Sequence, residues 1–247
     1  MVQNIEVHGI ILDTSLIKEY DKRLVILTSE LGKITVFANG VRRKNSMLTA
    51  VSQKFVMGKF ELRAGRNAYT LVSAVVSESF YELSYDLEKM SYASYICECA
   101  AYYTREGIRA TDELNLMYVS FKAILNERQS LGLIKAIFQC KIMDIEGEGL
   151  RVDSCLICGE KDNLHHISPK EGGLICDKCL TGVPDLIKIS DEAIYAIGYI
   201  LSRNIGECYT FDLSLTVAKE IEDIMDRYMA VRIDKHFKSL DLLDSIL

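Results

Sequence analysis

Two hydrophobic periods divide the chain. Up to about residue 80, apolar and polar residues alternate over short runs, the two-residue period of a half-buried strand. Beyond it, apolar residues recur every three or four positions, the period of an amphipathic helix. The first region predicts five strands: Ile5–Asp13, Arg23–Thr28, Lys33–Ala38, Lys54–Arg63 and Ala68–Val76. Turn residues separate them at Glu30-Leu31-Gly32, Asn39-Gly40 and Ala64-Gly65-Arg66-Asn67. The fourth strand alternates most clearly, with Val56, Gly58, Phe60 and Leu62 on one face and Met57, Lys59, Glu61 and Arg63 on the other.

Five short antiparallel strands in about 75 residues predict a small closed barrel, of which the OB-fold is the best-known five-stranded form. The long connection Asn39–Gln53 between strands three and four suits that fold. The helical region predicts helices over Asp86–Arg105, Thr111–Glu127, Leu131–Ile145 and Asp212–Ile233, and a further one capped by Ser190-Asp191 ahead of Ile194, Ile197 and Leu201. Their apolar stripes read as core. The expected organisation is multi-domain α+β: a barrel domain over 1–80 and an all-α domain over 81–247, with a small cysteine module at about 150–183 inserted in it.

Composition narrows the class. With 49% hydrophobic and 26% charged residues, the 247-residue chain has the make-up of a globular protein and not of a disordered one. Its longest run without a formal charge, Asn67–Ser77, is 11 residues, too short for a helical membrane span. The N-terminal MVQNIEVHGI does not read as an export signal, so a reducing, cytoplasmic location is expected. The net charge of -6 hides an asymmetry: residues 1–80 hold 11 Lys and Arg against 7 Asp and Glu, net +4, and the remainder nets -10. A basic barrel on an acidic remainder points to a localised anionic partner.

The eight cysteines are of two kinds. Cys97, Cys99, Cys140 and Cys208 have no metal-like spacing and read as small buried residues. Cys155, Cys158, Cys176 and Cys179 read C-x2-C, 17 residues, C-x2-C. Each pair forms a tight knuckle, and two knuckles turn four thiolates toward one tetrahedral zinc at about 2.3 Å. Gly159 and the Gly172-Gly173 pair suit the turns this needs. His165 and His166 lie between the knuckles, but four thiolates already fill the shell. A filled shell leaves no open coordination position, so the expected zinc, one per chain, is structural. The phosphate-binding loops, the nucleophile elbow and the H-E-x-x-H motif are all missing, and His8, His165, His166 and His236 sit beside no candidate nucleophile. No catalysis is expected.

The chemistry that is present is cationic. Gly40-Val41-Arg42-Arg43-Lys44-Asn45-Ser46 puts three consecutive cations on a glycine-led loop. Lys33, Lys54, Lys59, Arg63 and Arg66 fall on neighbouring strands or turns, interleaved with Phe37, Phe55 and Tyr69. Cations that track phosphates and rings that stack on bases hold single strands without sequence preference. Of the rings, Phe37 and Phe55 read as core in preference to stacking platforms, and Tyr69, just after a turn, fits either role.

At these residues the chain resembles the bacterial RecO family of recombination mediators. The resemblance runs over essentially the whole length: G-I-I-L at Gly9–Leu12, L-T-S-E-L-G-K at Leu27–Lys33, A-N-G-V-R-R-K-N-S at Ala38–Ser46, G-G-L-I-C at Gly172–Cys176 and F-K-S-L at Phe237–Leu240. The stretch Glu146-Gly147-Glu148-Gly149-Leu150 departs from it, since family members often carry a tyrosine after the glycine that closes the preceding helix. The resemblance implies an OB-fold domain, a helical domain and an inserted zinc ribbon. It implies binding of single- and double-stranded DNA, annealing of complementary strands, and work with RecR to load RecA onto strands coated by single-stranded DNA-binding protein (SSB), close to the nucleoid. The acidic SSB tail is a family partner that docks on the helical domain. The helix Leu131–Ile145, with Lys135 and Lys141 among Ile134, Ile137, Phe138 and Ile142, is the expected pocket, ahead of the rival run Arg232, Lys235, His236 and Lys238. The DNA contacts are expected at Lys33, Arg42, Arg43, Lys44, Lys59, Arg63, Arg66 and Tyr69. Two other classes compete: an enzyme carrying a zinc ribbon, which would need a glycine-rich nucleotide fold where the barrel pattern stands, and a scaffold whose barrel binds protein.

Overall fold

The computed structural model describes residues 4–66 and 68–246. The elements run β1 (Asn4–Leu16), β2 (Lys22–Thr28), β3 (Gly32–Ala38), α1 (Leu48–Val51), β4 (Val56–Ala64), β5 (Tyr69–Ser79), α2 (Leu87–Tyr103), α3 (Thr111–Asn126), α4 (Leu131–Ile145), β6 (His166–Ser168), β7 (Gly173–Ile175), β8 (Ile187–Lys188), α5 (Asp191–Ser202), α6 (Leu215–Arg232) and α7 (Lys238–Ile246). Of the turn expected over Ala64–Asn67, Asn67 lies outside the described residues; Gly65 N–H donates to the Ala68 carbonyl at 3.0 Å. Among the described residues no helix is long and apolar enough to cross a membrane. The chain packs as two compact units, Met1–Phe121 with Phe237–Leu247, and Lys122–His236.

In the first unit the five strands close into a barrel in the order β1-β2-β3-β5-β4. β1 pairs antiparallel with both β2 and β4, and closure comes from a short parallel contact, Val36 with Tyr69 and Phe37 with Thr70. Alternation sends Val7, Ile11, Leu24, Ile26, Ile34, Val36, Phe60, Leu62 and Leu71 into the interior. The register of β1 slips between Ile11 and Asp13. Ile10 and Leu12 are buried too but stand outside the barrel core, on a strand against which α2 packs.

The fourth strand begins at Val56, two residues later than expected, because Phe55 takes a positive φ of 68°. Its N–H donates to Ile11 O at 3.0 Å and its carbonyl accepts from Phe80 N at 3.2 Å. The ring thereby packs edge-on against Phe121, 5.5 Å between centroids, and Phe121 in turn meets Phe80 at 5.2 Å. Such a backbone costs about 1–3 kcal/mol in a non-glycine residue, and burial of the ring offsets it. Phe55→Ala is therefore expected to lower stability by about 3–5 kcal/mol, read as a shift of the denaturation midpoint.

The first unit also takes in α7, which the sequence pattern did not set apart as a helix. Phe237 packs edge-on against Tyr95 at 5.5 Å, and the Ser239 backbone N–H and hydroxyl both donate to the Glu98 carboxylate, at 3.2 and 2.8 Å.

In the second unit, serine caps open α4, α5 and α6: Ser130, Ser190 and Ser214 accept from the N–H of Leu133, Ala193 and Val217. The Ser214 cap explains why the helix expected from Asp212 starts at Leu215. α4 coincides with its expected span and is buried nearly all round. A three-stranded sheet, β7-β6-β8, belongs to the cysteine module.

Candidate nucleic-acid interface and metal centre

The β1–β2 loop and the β3–β4 connection meet at one end of the barrel. Gly40 turns the chain with φ 67°, a left-handed backbone that favours glycine, and its N–H donates to the Asp21 carboxylate at 2.8 Å. Arg42 N–H donates to the Tyr20 carbonyl at 3.2 Å, and the Arg42 guanidinium to the Glu19 carbonyl at 3.1 Å. Val41 between them is fully buried and receives the Thr49 hydroxyl on its carbonyl. With Val41 as an anchor, Arg42, Arg43 and Lys44 stand exposed, and the Arg43 guanidinium lies 5.8 Å from the centre of the exposed Tyr20 ring. Burial, and then the Arg42 charge, pull the Lys22 ammonium below the usual lysine range. Crowded cations of this kind favour an anion.

The register adds a second group. Arg23 pairs with Phe37, Phe37 with Thr70, and Thr70 with Arg63. Their neighbours Leu24, Val36, Leu62 and Leu71 point inward, so these four share the outer surface, with Arg23 and Arg63 exposed and Phe37 half-buried. Phe37, read as core, is thus an outward ring with Arg23 on one side and Thr70, then Arg63, on the other.

Other expected positions are engaged elsewhere. Lys33 donates to the Ala101 carbonyl of α2. Lys59 pairs with Glu6 at 2.8 Å. Lys54 donates to the Ser94 hydroxyl and lies over the Phe55 ring. Tyr69 packs on the barrel core; its hydroxyl pKa is raised by burial and by the Glu106 carboxylate that accepts from it. Arg66 is exposed on the β4–β5 turn. Lys18, Tyr20, Lys22 and Arg23 were missed by sequence reasoning. The run Ile17-Lys18-Glu19-Tyr20-Asp21-Lys22-Arg23 carried the signal, three cations and a ring over the β1–β2 loop and the start of β2.

In the second unit, the sulfurs of Cys155, Cys158, Cys176 and Cys179 all lie within 4.8 Å of one another. Cys158 and Cys176 are 3.6 Å apart. Four sulfurs at about 2.3 Å from a tetrahedral ion would be roughly 3.8 Å apart, so the set fits a thiolate-bound metal such as zinc. Each knuckle is closed by its own backbone: Gly159 N–H donates to Cys155 O and Cys179 N–H to Cys176 O, both at 2.9 Å, with Gly159 at φ 74°. Burial pushes the Cys155 thiol up, but the backbone N–H groups of Cys158, Cys176 and Ile157 outweigh it and bring it down to about 6. Hydrogen bonds with the sulfurs of Cys158 and Cys176 push Cys179 up to about 12. Four neighbouring thiols cannot all ionise unless a cation neutralises them.

His165 and His166 face Asp177, at 2.9 and 3.4 Å. The hydrogen bond from His165 holds the Asp177 carboxyl below its usual range. Cys97, Cys99, Cys140 and Cys208 are buried, and burial pushes the thiols of Cys97, Cys140 and Cys208 up to about 12, where they are inert.

The pocket expected on α4 is corrected. Phe138 is fully buried. Lys141 is 4% exposed and donates to the carbonyls of Leu201 and Arg203, at 3.2 and 2.8 Å, so it closes the C-terminus of α5. Lys135 is held by Asp226 at 2.9 Å. The three side chains work inside the unit and form no open surface pocket.

These features define a class: a mixed α+β protein with a cationic five-stranded N-terminal sheet, a helical C-terminal region and a four-cysteine cluster able to hold a metal. The family models for Recombination protein O N terminal and Recombination protein O C terminal match residues 1–80 and 84–241. The chain belongs to the RecO family. It is 31% identical over 245 residues to the DNA repair protein RecO of Alkaliphilus metalliredigens, covering 98% of this chain and 99% of the relative. It is 30% identical over 240 residues to that of Acetivibrio thermocellus, covering 96% and 95%.

Proposed function

We propose that this chain is a non-catalytic, DNA-binding recombination mediator acting in DNA repair. In this reading the barrel is an OB-fold, and it binds single- and double-stranded DNA without sequence preference and anneals complementary strands. Zinc is the metal of the four-cysteine module and has a structural role. With RecR as partner, the protein helps to load RecA onto SSB-coated single strands in the cytoplasm. The SSB tail remains a partner in this reading, docked elsewhere than on Lys135, Phe138 and Lys141. The observation that carries the proposal is the exposed run Arg42, Arg43 and Lys44 at one end of the barrel, fastened to the β1–β2 loop through Asp21 and Tyr20, with the Arg43 guanidinium against the exposed Tyr20 ring.

A salt titration of single-strand affinity tests it. Each phosphate neutralised contributes about -0.7 to the log–log slope, so a slope near zero would refute DNA as the anion. A second prediction isolates the loop geometry. Asp21 is the acceptor that ties Gly40 to the β1–β2 loop. Asp21→Ala removes a negative charge, which alone would strengthen binding. Loss of the tether, about 1 kcal/mol, is expected instead to weaken it about five-fold, and Asp21→Asn, which keeps an acceptor, to restore it. Fluorescence anisotropy on a mixed-sequence oligonucleotide reads the sign directly.

A further inference from the structure

The second unit carries an apolar groove with no role in the reading above. It is about 560 Å3 in volume and is lined by Tyr195, Ala196 and Tyr199 of α5, by Phe211 and Leu213 of the segment before α6, and by Asp191, Glu192 and Asp212. Tyr199 meets Phe211 edge-on at 5.2 Å, and Tyr195 lies 6.5 Å from Tyr199. Tyr195 is 75% exposed. α5 already buries Ala193, Ala196, Ile197 and Ile200 in the unit. The aromatic residues therefore make a second apolar face, which a helix of a solvated surface does not need.

Charge says what covers it. Asp191 and Glu192 sit in the first turn of α5, where acidic residues favour the helix N-terminus on their own account. Asp212 comes from a different segment and reaches the same groove. No Lys or Arg lines the groove, and none of the three carboxylates is in an ion pair among the described residues. The nearby Arg203 guanidinium lies 4.4 Å from the centre of the Tyr199 ring, is paired with Glu207, and lines a neighbouring groove. That neighbouring groove shares Asp191, Tyr195 and Tyr199 and also holds Lys161, so the acidic edge that no cation shares is the one made by Glu192 and Asp212, and there DNA and acidic peptides are disfavoured.

We propose that this groove docks a cationic segment of a partner protein, burying one of its apolar side chains on Tyr195, Tyr199 and Phe211 while its Lys or Arg groups meet Asp191, Glu192 and Asp212. Ring burial supplies most of the affinity and the acidic rim the selectivity.

A fluorescein-labelled peptide of about twelve residues, alternating Lys and Arg with Leu and Phe, tests this by anisotropy on the full chain. Two further peptides, one with every cation changed to Glu and one with every apolar residue changed to Ser, are expected to bind at least about ten-fold more weakly. Tyr195→Ala removes an exposed side chain and leaves the fold intact by circular dichroism; it is expected to weaken the first peptide about ten-fold. The double variant Glu192→Gln, Asp212→Asn should weaken it comparably and flatten its salt dependence. Asp223→Asn, on the exposed surface of α6, should change nothing and so separates the groove from diffuse attraction by an acidic surface. Equal binding of the Ser peptide, or full affinity in Tyr195→Ala or in the double variant, would overturn the proposal.

Discussion

If the four-cysteine module holds zinc as proposed, the purified protein is expected to carry one ion per chain, and Cys176→Ser to lower that to near zero and to melt residues 150–183 while the barrel persists. Besides the four sulfurs the module buries only a few apolar side chains, chiefly Ile167, Leu174 and Ile175. β6 and β7 are three residues each and β8 is two, far too short to hold as a sheet without a cross-link. A structural zinc supplies an apparent 10–16 kcal/mol at neutral pH in small modules, more than so small an apolar core can supply by itself. Cys176 is 1% exposed, so a serine there cannot exchange its place for solvent and recruit another ligand. His165 and His166 face Asp177 and are not among the side chains gathered at the cluster. Metal analysis by mass spectrometry, with hydrogen exchange over the module and over β1–β5, gives both readouts. Full zinc retention in the variant would rule out the four-cysteine site.

Arg42→Ala together with Arg43→Ala is expected to weaken single-strand binding about thirty-fold near 0.1 M salt and to flatten the log–log salt slope by about 1.4. The slope change follows from two phosphate contacts at about 0.7 each. The affinity change follows from about 1 kcal/mol per exposed charge-assisted contact after screening. The loss should be alike for all sequences, since phosphate contacts carry no base information. The fold is not at risk: Arg42 and Arg43 are exposed, and the loop is anchored by Val41 and by the Gly40–Asp21 hydrogen bond, which the substitutions leave in place. Binding equal to the unsubstituted chain across the salt range would move the DNA path off this end of the barrel.

The period of the apolar residues alone determined β1–β5 and the helices α2–α6, because alternation and the three-to-four spacing are local properties that survive into the folded state; α1, the short strands β6–β8 and α7 were not legible in it. The cysteine spacing likewise determined the four-cysteine cluster, since each C-x2-C knuckle is closed by hydrogen bonds within a few residues, as at Gly159 and Cys179. The tertiary structure decided which cations are free. Lys33, Lys59 and Lys54 are sequence neighbours of the loop cluster in kind, yet an α2 carbonyl, Glu6 and Ser94 take them up, and such partners lie across the barrel or on another element, out of reach of any local pattern. The same holds for Lys135, Phe138 and Lys141. On a helical wheel they look like a pocket with a basic lip, but α4 is buried nearly all round, so the ring is core and the lysines are held by Asp226 and by the end of α5. Strand register decided the rest. Arg23, Phe37, Thr70 and Arg63 lie far apart in the chain, and only the barrel's pairing sets them side by side on its outer surface.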